Sequence, residues 1–455
     1  MPVLDYLRSI GARLTSAAWS RIKALEDIHA SLGWSIAVRS TLQAAAADLR
    51  VRTRTQALDG RAGQALEPAT HLPLKDAVLF IGHVEAGLGL GQSLRGLIEA
   101  AEAAGLPFAI LPYNHKVEQR YIGAFRSELY DRSGRYLINL VEVAPDQVEY
   151  LLYELGPERR EGSYSILRSY WELARAPDEW AAPLSAFDEI WAPSQFVADA
   201  LRGVVDKPVY IVPPAVDVTI VKRWSRSDWN LDPTAFLFVY SFDLGSYPAR
   251  KNPLGVVQAF RLAFPDPSLN VGLVLKHTGA PGVFEAYRAA LQLLARTDPR
   301  IIVIDHEMER DEVLSLIATC DAYLSLHRSE GLGLGMIEAM MLGKPVIATD
   351  YSGSRDFLTP STGFPIQHTL TRVHRHEYPH AERQHWAEPD LQHAARTMRA
   401  IHAGAPNVAA IARSGQTAAI ARYGVDAVGS AVRTRLEQVY EQLGRKLPPS
   451  GSTRS

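Results

Sequence analysis

The chain has 455 residues, more than one hydrophobic core usually supports, so we expect two or three structural units. Its 48 Lys and Arg residues nearly balance its 50 Asp and Glu residues, which excludes a chain-wide basic surface of the kind that coats nucleic acid. The single cysteine, Cys320, excludes an internal disulfide framework and any metal site built from several cysteines.

The first 57 residues are predicted to be helical, because apolar side chains recur about every 3.5 residues between Leu4 and Leu32. Residues 1–57 carry 8 Lys and Arg against 4 Asp and Glu, a net charge of +4. Three interpretations stay open for this extension: self-association into a homo-oligomer, contact with an anionic membrane surface, or packing on its own domain.

The sequence contains no apolar run of about 18 residues, so it predicts no transmembrane helix. Asp5 and Arg8 interrupt the N-terminus where a signal peptide would be apolar. We therefore expect a cytoplasmic protein, with peripheral contact at the inner face of the membrane if the basic extension binds there.

After a predicted linker at residues 58–74, strand-length apolar runs alternate with helical stretches. The runs lack the polar alternation of half-exposed strands, so they predict parallel sheets covered on both faces. The first series of predicted strands comprises 77–82, 107–111, 136–140, 163–167, 189–192 and 208–212. The second comprises 235–241, 271–276, 301–304, 322–326 and 345–349, with helices at 253–264, 283–296, 310–319 and 334–342.

This double series predicts an α/β protein with two doubly wound, Rossmann-like domains, at residues 75–220 and 221–425. Residues from about 387 to 443 are predicted to be helical, including a C-terminal helix at 426–445, and a disordered tail is predicted at 446–455. Ligands of such sheets bind beyond the carboxyl ends of the strands, so we expect a site in the cleft between the two domains.

The most informative segment is LHRSEGLGLGMIEAM at residues 326–340, where a predicted strand leads into a glycine-rich turn and a helix. Alternate glycines let a ligand approach the backbone, and the N-terminus of the helix offers unpaired N–H groups to a phosphate. Glu330 and Glu338 can hold opposite ends of one ligand, since carboxylates accept hydrogen bonds from sugar hydroxyls. The alternative is an ordinary strand–turn–helix with incidental glutamates.

The E-x7-E spacing of Glu330 and Glu338 resembles that of the retaining nucleotide-sugar glycosyltransferases of family 4, which have the GT-B fold. Four other segments resemble that family in the same order: GLGQSLR at 89–95, FDEIWAPSQFV at 187–197, VPPAVD at 212–217, and YSFD at 240–243 followed by RKNP at 250–253. The resemblance covers roughly residues 77–360. In addition, QHWAEPD at 384–390 resembles a stretch found in a bacterial surface-polysaccharide branch of the family.

The resemblance implies roles for the matching residues. Arg250 and Lys251 would face the donor diphosphate, where fixed cations stabilise a leaving nucleoside diphosphate. Glu330 would bind the donor sugar and complete the catalytic group. Glu338 would hold the ribose hydroxyls. The other implied donor-binding residues are Ser241, Gly331, Leu332 and Gly333.

In the N-terminal domain, the resemblance implies contact with the acceptor or the donor phosphates for His83 and for the loop of Gly89 and Gly91. Many family members carry a histidine near the reacting sugar, whereas the corresponding stretch here is RSYWE and offers Glu172 instead. A purely structural role for Glu172 is the alternative. A dinucleotide-binding loop is disfavoured, because these glycines alternate and do not follow G-x-G-x-x-G.

No cofactor and no metal site are predicted. The segment after residue 240 offers only Asp243 as a carboxylate, and the resemblance implies that Arg and Lys replace a metal cation. The nearest paired acids, Asp305 and Glu307, follow a different strand. The resemblance implies that the stretch Glu307–Glu312 seats the base. A cluster of five histidines is not predicted to bind a metal, because only His376 and His380 have the i, i+4 spacing and Pro379 interrupts that stretch; the five are residues 368, 374, 376, 380 and 385.

We therefore predict a metal-independent, retaining hexosyltransferase. It would move a sugar from a nucleotide diphosphate-sugar, with GDP-mannose as the first choice and mannosyl transfer as the reaction. The acceptor would be a glycan, lipid-linked, in bacterial polysaccharide or O-antigen assembly. The alternatives are a non-catalytic GT-B module that binds a sugar or a partner enzyme, and a phosphorylase or epimerase on the same fold.

Overall fold

The computed structural model of the protein describes residues 72–114, 121–279, 282 and 284–448. The predicted N-terminal helical extension, most of the predicted linker and residues 449–455 of the predicted tail lie outside the described residues. Within the described ranges, no helix combines the length and the apolar character needed to cross a membrane.

The chain divides into two compact units. The N-unit holds the described residues up to Asp217, together with Gly331–Ile337 and the residues from Thr417 onward. The C-unit holds Val218–Glu330 and Glu338–Gln416. Each unit therefore contains segments that are far apart in the sequence.

The N-unit is built on a sheet of six parallel strands in the order β2-β1-β3-β4-β5-β6. All six predicted strands are confirmed to within three residues: β1 Leu74–Gly82, β2 Phe108–Pro112, β3 Arg135–Glu142, β4 Tyr164–Arg168, β5 Glu189–Ala192 and β6 Val209–Ile211. Its helices up to Asp217 are Gly89–Ala103, Val148–Arg160, Ala181–Leu184 and Gln195–Arg202. The strand order reverses between β1 and β3.

The C-unit repeats this plan with six parallel strands in the order β12-β11-β10-β7-β8-β9. The strands are β7 Phe236–Asp243, β8 Val271–Thr278, β9 Ile301–Ile304, β10 Ala322–Ser325, β11 Val346–Thr349 and β12 Phe364–Ile366. Between them in the sequence lie the helices Pro248–Lys251, Pro253–Ala263, Glu285–Thr297, Arg310–Thr319 and Leu334–Met341, and of the last helix only Glu338–Met341 belong to the C-unit. The prediction missed β12, a three-residue strand at the sheet edge that contains Pro365, because proline is typical of turns.

The expectation of continuous helix from about residue 387 is wrong at its start. The chain there forms an antiparallel hairpin of β13 His368–Arg372 and β14 His385–Pro389. Pro389 cannot continue a helix, and Asp390 then caps the next one by accepting a hydrogen bond from the backbone N of His393 at 2.9 Å. Three helices follow, Leu391–His402, Val408–Tyr423 and Val425–Gln442.

The last helix, Val425–Gln442, belongs to the N-unit core. It packs on the helix Gly89–Ala103 so closely that a Cβ on Gly429 would lie 2.4 Å from the carbonyl oxygen of Ala100. Val432, Leu436 and Tyr440 on this helix are completely buried. The predicted α/β class with two doubly wound sheets is thus confirmed, and the N-unit is finished by the end of the chain.

Candidate functional site

The point where the C-unit strand order reverses brings together two distant parts of the sequence. β7 and β10 are parallel neighbours, with Ala322 opposite Phe238 and Tyr323 opposite Val239. Their carboxyl ends therefore meet at one edge, the place where open α/β sheets bind ligands. β7 leads into the helix Pro248–Lys251, and β10 leads into Glu330.

Three predicted catalytic side chains meet at this edge. Nη1 of Arg250 donates to Oε2 of Glu330 at 2.9 Å, and Nζ of Lys251 donates to Oε1 at 2.5 Å. Arg250 is 3% exposed and Glu330 is 8% exposed. Two cations share one carboxylate, so the group keeps an excess of positive charge that can face an anion.

The backbone around the two cations is held in an unusual shape. Tyr247 and Asn252, on either side of the helix Pro248–Lys251, both have positive φ. Nδ2 of Asn252 donates to the carbonyl oxygen of Leu326 at 2.9 Å, and the hydroxyl of Tyr240 donates to the carbonyl oxygen of Lys251 at 2.8 Å. These bonds fix Arg250 and Lys251 before any ligand arrives.

Glu330 is fixed and charged. Its backbone N donates to Oγ of Ser352 at 2.8 Å, and its carbonyl oxygen accepts from the backbone N of Gly353 at 2.9 Å. Burial alone would raise the pKa of Glu330, but the nearby Arg250 and Lys251 outweigh it and lower the pKa to about 2. The carboxylate is therefore ionised at any physiological pH.

Glu338 forms a second ion pair, separate from the first. It lies in the helix Leu334–Met341, is 6% exposed, and accepts a hydrogen bond at Oε1 from Nη1 of Arg310. Arg310 was not among the predicted site residues. Its position could have indicated a role, because it begins a helix, where the positive end of the helix dipole disfavours a cation.

The remaining predicted donor residues lie along the same two segments. Ser241 is half-buried near the end of β7, and its carbonyl oxygen accepts a hydrogen bond from the Tyr323 hydroxyl at 3.1 Å. Leu332 is buried. Gly333 has φ +105°, a conformation that suits glycine. The carbonyl oxygen of Gly331 accepts from Oγ of Ser194 at 2.6 Å within the N-unit.

In the N-unit, His83 is a core residue. It is 1% exposed, with Nδ1 at 2.7 Å from the carbonyl oxygen of Tyr113 and Nε2 at 2.8 Å from Oε1 of Gln147. Glu172 is half-buried in the segment after β4. Contact of His83 or Glu172 with an acceptor stays a prediction.

The two predicted loop glycines differ in their surroundings, and this gives a stability test. A Cβ on Gly91 would lie 2.3 Å from the carbonyl oxygen of Ala86, whereas nothing lies within 4 Å of a Cβ on Gly89. We expect Gly91→Ala to lower the free energy of unfolding by about 1–3 kcal/mol through overpacking. Gly89→Ala, the matched control, should be neutral or raise it by up to about 1 kcal/mol. Denaturant unfolding of both variants measures this, and equal effects would contradict the packing argument.

A buried histidine predicts how stability depends on pH. His327 is completely buried, with Nδ1 at 3.1 Å from Oγ of Ser325, and burial lowers its pKa to about 4. The unfolded chain binds a proton near pH 6.5 and the folded chain does not, so stability falls as pH falls from 6.5 to 4. We expect His327 to account for a loss on the order of 3 kcal/mol in this range.

Unfolding free energies measured between pH 7 and pH 4 test this assignment. His327→Asn should reduce the pH dependence and leave the part that comes from His277, a second completely buried histidine whose pKa burial lowers to about 4. His306→Gln is the control, because the His306 side chain is 58% exposed. A pH dependence unchanged in His327→Asn would remove His327 as its source.

One known protein family matches part of the chain. Residues 227–369 match the family model described as Glycosyl transferases group 1. This stretch is similar to the glycosyl transferases group 1 domain, and it contains Arg250, Lys251, Glu330 and Glu338. No curated protein sequence matches the chain significantly.

Solved structures share the fold over about four-fifths of this chain. Sucrose-phosphate synthase (tll1590) from Thermosynechococcus elongatus aligns with TM-score 0.60 and 15% identity, over 80% of this chain and 100% of that chain. Anabaena Alr3699/HepE in complex with UDP and glucose aligns with TM-score 0.57 and 15% identity, over 79% and 99%. A glycosyltransferase from Rickettsia africae ESF-5 aligns with TM-score 0.56 and 13% identity, over 81% and 98%. The predicted GT-B fold is confirmed.

Proposed function

We propose that the protein is a retaining glycosyltransferase that moves a hexose from a nucleotide diphosphate-sugar to a glycan acceptor. The observation that carries this proposal is the pairing of Arg250 and Lys251 with the buried Glu330 at the β7–β10 edge. This preformed cationic group lies in the segment that matches the glycosyl transferases group 1 model.

In the proposed reaction, Arg250 and Lys251 bind the diphosphate and stabilise the charge that grows on it as the sugar leaves. The bond between the sugar C1 and the phosphate oxygen breaks, and a bond from C1 to an acceptor oxygen forms on the same face. The acceptor proton passes to the departing phosphate. Glu330 holds the sugar, and Glu338 holds the ribose.

We propose no role for a metal ion, since two side-chain cations supply the positive charge. Among the residues that the structure describes, no group of three or more His, Cys, Asp or Glu is arranged to hold a metal. Transfer should therefore persist in EDTA. A loss of activity that magnesium or manganese restores would contradict this part of the proposal.

The proposed donor is a nucleotide diphosphate-hexose. GDP-mannose is our first choice from the sequence resemblance. The Anabaena protein, similar in fold, is described in complex with UDP-glucose, so uridine donors belong in the same comparison. The decisive experiment is a thermal-shift series with UDP, GDP, UDP-glucose and GDP-mannose, followed by an assay of acceptor-dependent release of the nucleoside diphosphate. Binding without any turnover would favour a non-catalytic module.

We further propose a lipid-linked glycan acceptor at the inner face of the membrane, in bacterial polysaccharide assembly. Support comes from the net charge of +4 in residues 1–57, which would be attracted to anionic lipids. Deleting residues 1–57 should move the protein from the membrane fraction to the soluble fraction. An unchanged distribution would remove this support.

A further inference from the structure

We infer that Arg310 is a positioning residue: it holds the carboxylate of Glu338 for the donor ribose and so determines how strongly the protein prefers ribonucleotides to nucleotides without ribose hydroxyls. The inference deepens the proposed function and rests on it. It starts from the ion pair between these two side chains in the C-unit.

The two side chains of the ion pair differ in their exposure to solvent. The Arg310 side chain is 32% exposed, whereas the Glu338 side chain is 8% exposed. A buried carboxylate needs a counter-charge, and Arg310 provides one through Nη1 at Oε1. Arg310 also stands at the first position of the helix Arg310–Thr319, where a cation opposes the helix dipole. Its pairing with Glu338 offsets this unfavourable position.

The segment that carries Arg310 is anchored on both sides. Before it, Nζ of the buried Lys276 donates to the carbonyl oxygen of His306 at 3.1 Å. After it, Oδ2 of Asp311 accepts hydrogen bonds from the backbone N of Val221 at 3.1 Å and of Lys222 at 2.8 Å. The Arg310 backbone is thus held in place, and its side chain reaches Glu338 from a fixed base.

This geometry suits recognition of a diol next to a diphosphate. A carboxylate has two oxygens with about four acceptor positions, so a guanidinium on Oε1 leaves Oε2 to accept from hydroxyls. The guanidinium also neutralises Glu338, which would otherwise repel the anionic diphosphate. Removing Arg310 should therefore weaken the contacts to the ribose hydroxyls specifically.

The test compares binding of UDP and GDP with binding of their 2′,3′-dideoxy forms, measured by calorimetry. The variants are Arg310→Gln, which removes the charge, and Arg310→Lys, which keeps it. Arg261→Gln is the matched control: the Arg261 side chain is 34% exposed and pairs with Asp298 at 3.7 Å in the same unit. Glu338→Gln and the double variant Arg310→Gln/Glu338→Gln complete a cycle.

We expect the wild type to prefer the ribose form of its nucleotide by about tenfold or more, the value of a charge-assisted hydrogen bond. In Arg310→Gln the ratio of the affinity for the ribose form to the affinity for the dideoxy form should fall towards one. The affinity for the dideoxy form itself should stay the same. Arg310→Lys should restore part of it, and the double variant should be no worse than Glu338→Gln. A preference unchanged in Arg310→Gln, or equal weakening of both forms, would overturn the inference. Failure of the wild type to bind either nucleotide would instead overturn the proposed function and the inference with it.

Discussion

Glu330→Gln should strongly slow sugar transfer and leave binding of the nucleoside diphosphate at least as strong as in the wild type. Gln keeps the size of Glu330 but removes the negative charge that pairs with Arg250 and Lys251. The two cations are then more available to the diphosphate, whereas the donor sugar loses its charged acceptor. We expect transfer to fall by about a hundredfold or more, as when a transition-state contact is lost.

Lys251→Ala should weaken diphosphate binding, the role that Glu330→Gln leaves intact. It removes a cation and leaves Glu330 paired with Arg250 alone, so nucleoside diphosphate binding and transfer should both fall. We again expect a loss in transfer of about a hundredfold. Steady-state transfer rates and calorimetric affinities for UDP and GDP give both readings on the same samples.

A matched carboxylate control comes from the surface of the C-unit. Glu382 pairs with Arg375, and their side chains are 57% and 84% exposed. Glu382→Gln should therefore change neither rate nor affinity by more than a small factor, since exposed pairs contribute little. Near-normal transfer in both Glu330→Gln and Lys251→Ala would remove these residues from the catalytic group. Weaker nucleotide binding in Glu330→Gln would contradict the division of roles.

A large loss of stability is expected at the ion pair that fixes the last helix. Glu189 in β5 is completely buried, and it accepts hydrogen bonds from Arg435, from the Tyr164 hydroxyl at 2.8 Å and from Nε1 of Trp191 at 2.6 Å. The Arg435 guanidinium also lies 3.9 Å from the centre of the Tyr210 ring. Arg435→Met leaves a buried charge without its partner, which typically costs about 3–5 kcal/mol.

Chemical denaturation that monitors the N-unit measures this cost. Arg202→Met is the control, because Arg202 pairs with Asp199 on the surface, with side chains 44% and 61% exposed. The double variant Glu189→Met/Arg435→Met should recover much of the loss, since removing both charges leaves no buried ion. If Arg435→Met is no more harmful than Arg202→Met, the pair is not a stabilising contact.

The two sheets were predictable because each buried strand is a local feature. A run such as residues 271–276 is apolar whatever it pairs with, and β8 duly begins at Val271. The pairing of Arg250 with Glu330, in contrast, could not be predicted from a local pattern. No local pattern shows that residues 80 positions apart touch, and only the family resemblance placed them at one ligand.

The features that were not predicted from the sequence depend on tertiary structure. The role of Arg310 depends on its contact with Glu338. The end of β14 was predicted to be helical because Pro389 and Asp390 are typical of a first helical turn. Its pairing with β13, which buries Trp386 to 1%, is settled by a segment some 15 residues earlier. Short strands of this kind take their conformation from their neighbours.

The last helix also sets the order in which the chain can fold during synthesis. The C-unit has all its residues once Gln416 has emerged from the ribosome, whereas the N-unit still lacks Val432, Leu436 and Tyr440. Domains fold as units while the chain grows at about 5–20 residues per second. The N-unit sheet, although it is made first, must therefore wait for the final helix, and a ribosome that stalls near residue 420 would release a chain whose N-unit core is open.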